Sequence, residues 1–137
     1  RYAKLKLGGG INGGQYGSGE FCVAGAYAEY EYKTFFANFE RAQADGSNGV
    51  AGYTNKQTGG FYSTIGYRIS PKIELLARYD QFDPDRNIGH NMIREYTAGI
   101  NYYVKGQGLK LIFNYIFCQN QGANDSHRFM IGTQVLL

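Results

Sequence analysis

The stretch FYSTIGYRISPKIELLARYDQFDPD, residues 61–85, reads as two long strands joined by a tight turn. Phe61, Ser63, Ile65, Tyr67 and Ile69 share one phase of the first strand, and Tyr62, Thr64, Gly66 and Arg68 share the other. In the second strand Ile73, Leu75, Ala77 and Tyr79 oppose Lys72, Glu74, Leu76, Arg78 and Asp80, because successive side chains of a strand point to opposite sides. Ser70, Pro71 and Lys72 separate the runs, and proline presets φ for a turn while removing a ladder donor. The far end opens into the polar segment DPDRNIGHN. A hairpin closed tightly at one end and loosely at the other, apolar on one face and charged on the other, is the repeating unit of an outer-membrane β-barrel.

Composition agrees with many strands. Gly 20, Tyr 13 and Phe 9 are high for 137 residues while Pro is only 2, which favours glycine-turned strands over helices or disorder. No apolar run approaches the roughly 20 residues a transmembrane helix needs, so a membrane would be crossed by alternating strands. A mean hydropathy of -0.42 is compatible with that, since a barrel carries its lipid face in every second residue. The chain opens at Arg1, without a signal peptide, and is expected to be a processed product or a fragment. It forms a single unit, residues 1–137. The net charge of +3 is dispersed, with no basic cluster to receive nucleic acid.

Taken in order, residues 1–8 alternate Ala3, Leu5 and Leu7 against Tyr2, Lys4 and Lys6, a first strand followed by a long glycine loop. Gly8, Gly10 and Gly13 match the dinucleotide pattern GxGxxG, but GGQYGSGE cannot begin the helix that such a site needs. Residues 21–30 make the second strand, with Phe21, Val23 and Tyr27 expected outward, and residues 34–43 the third. After the polar loop of residues 44–57 and the central hairpin, Tyr96, Ala98, Ile100, Tyr102 and Val104 mark the outward face of the sixth strand. A KGQG turn leads to the clearest apolar stripe, Leu109, Leu111, Phe113, Tyr115 and Phe117. The last strand turns Phe129, Ile131, Val135 and Leu137 outward.

Eight strands of about ten residues are long enough to cross a bilayer when tilted. Long connections are expected after strands one, three, five and seven, and short ones after two, four and six, which puts both termini on the short-turn, periplasmic side. Phe21, Phe61, Tyr79, Tyr96, Phe117 and Phe129 then gather near the long-loop end, and Tyr30, Tyr67 and Tyr102 near the other. Two aromatic bands with smaller aliphatics between them are what the two headgroup levels of a membrane select. A soluble barrel would hide its apolar face inside and has no reason for such banding.

Chemistry-bearing residues are few. His90, with Asp83 and Asp85, could activate water at a barrel rim, as in an outer-membrane hydrolase, but DPDRN reads more simply as a loop capped by Asp side chains. The same aspartates lack calcium-loop spacing, no metal or other cofactor is expected, and no nucleophile motif occurs. Cys22 and Cys118 lie far apart in sequence and read as small buried thiols. The inward phase carries Lys4, Lys6, Arg68, Lys72, Arg78, Lys110 and Arg128 against Glu40, Glu74, Asp80 and Glu95, a cation surplus that in a water-filled pore would favour anions. In a closed eight-stranded barrel these side chains would fill the interior, and the protein would be an anchor or adhesin. In a barrel of roughly sixteen strands they would line a channel.

The segments YRISPKIELLARYDQFDPD, REYTAGINYYVKGQGLKLIFNYIF and RFMIGTQVLL together resemble the C-terminal part of the phosphate-selective porin O and P family. The resemblance is specific from Pro71 to Tyr115 and fades before Phe61. It implies an all-β, antiparallel, up-and-down transmembrane barrel of roughly sixteen strands, of which the eight here are the C-terminal half. It further implies a homotrimer in the outer membrane of a Gram-negative cell, surrounded by lipid and inserted by the assembly machinery, that passes anions or small polar solutes by diffusion. The resemblance also implies that the family's phosphate-binding arginines and constriction loop belong largely to the half not in this chain.

Overall fold

The computed structural model describes residues 2–16, 19–46, 56–104 and 108–135. They contain eight strands: β1 (Lys4–Tyr16), β2 (Gly19–Tyr32), β3 (Phe35–Asp45), β4 (Gln57–Ser70), β5 (Ile73–Asp83), β6 (Ile93–Tyr103), β7 (Leu109–Asn120) and β8 (Ser126–Val135). The strands form one sheet in chain order, every neighbour antiparallel. Among the described residues the sheet is open, for β1 pairs only with β2, β8 only with β7, and the two do not meet.

The central hairpin folds as its alternation requires. Pro71 and Lys72 make the turn between β4 and β5, and Ser70 Oγ accepts hydrogen bonds from the backbone amides of Lys72 (3.3 Å) and Ile73 (3.1 Å). The ladder shifts between Arg68 and Ser70, a bulge that absorbs the turn. Turn backbones also reach the next strands: Thr34 O accepts from Arg68 N, and Lys72 O from Tyr103 N, both at 2.8 Å. Lys33 takes a positive φ of 55°, closing the two-residue turn between β2 and β3.

One face is sheltered, with Gly66, Glu74, Gly99, Asn101, Tyr103 and Ile116 buried, and the other exposes Ile65, Tyr67, Leu75, Ile100, Phe113 and Tyr115. A single sheet shelters one face only by curling toward it, so the sheltered face is the inner one. On the outer face Phe39, Phe61, Tyr79, Tyr96, Phe117 and His127 make consecutive ring contacts at centroid separations of 5.9, 5.7, 5.1, 6.1 and 5.0 Å across six strands. Toward the other end Tyr30 and Phe35 lie 6.3 Å apart, with Tyr67 and Tyr102 also exposed.

The N-terminal region departs from the sequence reading. The glycine-rich segment after Leu7 is strand, not loop, since Gly9 pairs with Ala26 and Gly10 with Gly25, and β1 runs on to Tyr16. The strict alternation of long and short connections therefore fails at its first member. The two longest connections are residues 46–56 and 84–92. The register also reverses the expected facing of β2. Tyr27 pairs with Glu40 and Gly8, Val23 with Ala44, and Phe21 with Gly14, which puts Phe21, Val23 and Tyr27 on the inner face and Ala24, Ala26, Ala28 and Tyr30 outside. This facing matches large rings to glycines: the Tyr27 ring lies over Gly8 and the Phe21 ring over Gly14, where a Cβ would crowd it. Most of the KGQG turn (residues 105–107), the middle of the loop after β3 (47–55) and Leu137 lie outside the described residues.

Candidate pore wall

The charged residues singled out from the sequence fall on the inner face, Lys72 excepted, which sits exposed in the turn between β4 and β5. Lys4, Lys6, Glu40, Arg68, Glu74, Arg78, Asp80, Glu95, Lys110 and Arg128 share one phase of the cross-strand register. They are arranged in levels along the strands.

Nearer the long loops, Arg78 grips Asp80 through Nε at 2.9 and 3.0 Å and Nη2 at 2.6 Å, while its guanidinium lies 3.9 Å over the Tyr62 ring. The Tyr62 hydroxyl donates to Glu40 Oε2 at 2.8 Å. Asp80 stands directly opposite Glu95, a like-charge pair that would repel, and Arg128 of β8 pairs with Glu95 as Arg78 pairs with Asp80. Below this level the row is mostly apolar. The Phe36 ring covers Gly66 and Leu76 packs toward Gly99, with Asn114 on the other side of that glycine.

Nearer the short turns, Glu74 is 5% exposed and accepts from Arg68 Nη2 (3.0 Å), Asn101 Nδ2 (2.9 Å) and the Tyr103 hydroxyl (3.0 Å). Arg68 lies 5.0 Å over the Tyr103 ring, and Lys110 Nζ approaches the same ring at 5.9 Å. A carboxylate this deep is held by three donors, one of them cationic, as burial of a charge demands. Arg68 Nε, Asn101 Oδ1 and Asn114 Oδ1 are buried without a protein partner.

The corrected facing of β2 alters the charge of the wall. Glu29 and Glu31 come inward, Glu29 bonded to Lys6 at 2.9 Å and Glu31 opposite Lys4. On the strands the inner face therefore carries Lys4, Lys6, Arg68, Arg78, Lys110 and Arg128 against Glu29, Glu31, Glu40, Glu74, Asp80 and Glu95. These are equal numbers, and the expected cation surplus is gone. Tyr62, Asn101 and Tyr103, missed as partners, share the phase of Arg78 and Arg68, which is the signal that could have found them.

The aspartates considered for hydrolysis bond to backbone amides of their own loop. Asp83 Oδ1 accepts from Asp85 N (3.1 Å) and Asp85 Oδ1 from Asn87 N (3.0 Å), local caps of the loop, while His90 takes a positive φ of 60° beyond them. Cys22 is exposed on the outer face and Cys118 half-buried on the inner, so neither is the buried thiol expected and the two face apart.

An ion-paired face backed by an aromatic-banded apolar one suits a wall between water and lipid, and among the described residues no nucleophile and base are brought together. No curated protein and no solved structure matches the chain. The family model for phosphate-selective porin O and P matches residues 3–136, beginning one residue before β1 and ending one residue after β8. With nearly the whole chain matched, and with the strand pattern of an outer-membrane channel on the page, this protein belongs to the phosphate-selective porin O and P family.

Proposed function

We propose that this sheet is one wall of a water-filled outer-membrane channel that passes small polar solutes, anions among them, by diffusion. The observation that carries the reading is the division of labour between faces: paired charges and buried polar atoms inside, an aromatic-banded apolar surface outside. Two open edges support the larger barrel over a sealed eight-stranded anchor, because unpaired backbone amides and carbonyls in hydrocarbon cost several kcal/mol each. Further strands on both edges would complete a ring of roughly sixteen. In this reading the termini are periplasmic, the connections of residues 46–56 and 84–92 face outward from the cell, and the complete barrels associate as trimers.

The inner wall sorts solutes weakly by sign, since its fixed charges are equal in number and most of them pair with one another. Reconstitution of the full-length protein in a planar bilayer should give stable ohmic conductance. A protein that inserts but conducts nothing would overturn the channel in favour of the anchor.

A further inference from the structure

The arginines of the inner face, Arg68, Arg78 and Arg128, each pair with a carboxylate. Those of the outer face do not. Arg41 and Arg94 lie on the outer phase, in the cross-strand row Arg41, Phe61, Gln81, Arg94, Gln119. This row borders the long-loop side of the ring-to-ring band, and there the outer face turns from aromatic to polar. Arg86, in the loop after β5, reaches back over Gly59, its Cδ within 3.6 Å of where a Cβ on that glycine would stand. Among the described residues none of these three arginines makes an ion pair.

Arg41 and Arg86 flank a recess of about 230 Å³ that Gln43, Gly59, Phe61 and Gln81 also line. Gly59 leaves its floor open, and Phe61 ties its lower edge to the aromatic band through Phe39 and Tyr79. Asp83, opposite Gly59 in the ladder, also lines the recess, with one carboxylate oxygen accepting from the Asp85 amide. The Tyr79 hydroxyl points into the same polar level, donating to Gln81 Oε1 at 2.9 Å.

We propose that this recess binds the phosphate of a lipid headgroup from the leaflet on the long-loop side. The location selects a lipid over a dissolved ion: the site opens on the outer face at the level where the aromatic band meets polar side chains, which is where headgroups lie. The chemistry selects phosphate, because unpaired guanidinium forks offer the planar donor geometry that phosphate oxygens accept, and side-chain amides supply further donors. The proposal rests on the membrane orientation given above, not on whether the inner face conducts.

Native mass spectrometry of the full-length protein, released from micelles containing either phosphatidic acid or diacylglycerol with the same acyl chains, tests it. Phosphatidic acid should be retained and diacylglycerol not. The double variant Arg41→Gln/Arg86→Gln should bind phosphatidic acid at least about tenfold more weakly, the loss expected of charge-assisted hydrogen bonds. Gly59→Leu should weaken binding with both arginines in place, by filling the floor at a position where a Cβ itself fits. Equal retention of the two lipids, or unchanged binding in either variant, would overturn the site. Displacement of the lipid by excess inorganic phosphate would overturn the lipid assignment and make the recess a solute site. Planar-bilayer conductance of the Arg41→Gln/Arg86→Gln protein should match that of the unaltered one. A protein that retains phosphatidic acid yet never conducts would sink the channel and leave the lipid site standing.

Discussion

On the outer face of β5, β6 and β7 the rings of Tyr79, Tyr96 and Phe117 lie against one another, while one residue away on the inner face of β5 and β6 Asp80 confronts Glu95. The first arrangement is held by burial of large apolar area in lipid and by ring contacts worth about 0.5–1.5 kcal/mol each. The second survives because Arg78, two residues along β5, and Arg128, reaching from β8, answer the carboxylates. A slip of one residue in a strand's register would exchange its two surfaces and turn its inner-face charges toward hydrocarbon. The contrast between faces therefore specifies the register, and the strongest tests strike at whatever keeps the faces apart.

The largest effect should come from deleting residues 129–137. That removes most of β8, and with it Arg128 loses the strand that positions it against Glu95 while the edge of β7 opens. No heat-resistant folded form should remain on a gel without boiling. A folded band surviving the deletion would mean that β8 is dispensable to closure.

Single substitutions can break the contrast one site at a time. Phe113→Arg puts a charge on the outer face, between the aromatic bands, and should cost about 2–4 kcal/mol of unfolding free energy in lipid. Asn114→Arg, one residue on but on the inner face, should cost within about 1 kcal/mol, as lumen positions tolerate charge. Denaturant titration in vesicles distinguishes them, and equal penalties would refute the facing of β7. Glu74→Ala should fall between. It strips three donors of their acceptor, but Arg68 keeps 38% of its side-chain surface exposed, so water screens the orphaned charge and about 1–3 kcal/mol is expected.

How much of this was legible depended on side-chain size. In β4 to β7 large apolar residues such as Ile65, Ile100 and Phe113 alternate with polar or charged ones, and the facing predicted from alternation is the facing observed. In β1 and β2 small residues fill both phases: Gly8, Gly9 and Gly10 have low strand propensity, and Ala24, Gly25 and Ala26 give no contrast. There the strand is made by its partner, through pairs such as Gly10 with Gly25, which a local window cannot see. The cost was specific. Turning β2 the wrong way drops Glu29 and Glu31 from the inner face and makes the wall read as cationic. The charged residues of the wall were readable one by one. Their partners were not, because Tyr62 meets Arg78 and Asn101 meets Glu74 only across strands.

The smallest effect, and the one that sharpens the contrast most, is on selectivity. With the inner charges equal in number, removing one cation should tip the wall toward cations, and removing one anion should tip it back. Arg78→Gln and Lys110→Gln should each move the zero-current potential of the full-length channel, across a potassium chloride gradient, in the direction of greater cation permeability. Asp80→Asn should move it by a similar amount the other way, since Arg78 and Asp80 form one pair. Arg94→Gln deletes the same charge from the outer face and should leave the potential nearly unchanged. The sheet and its surroundings separate it from the lumen, and mobile ions screen the remainder over a Debye length of about 10 Å at 0.1 M. Raising the salt should shrink the inner-face shifts together, because they are shared long-range fields and not occupancy of one site. If Arg94→Gln moved the potential as far as Arg78→Gln, the inner face could not be the one that borders the permeating water.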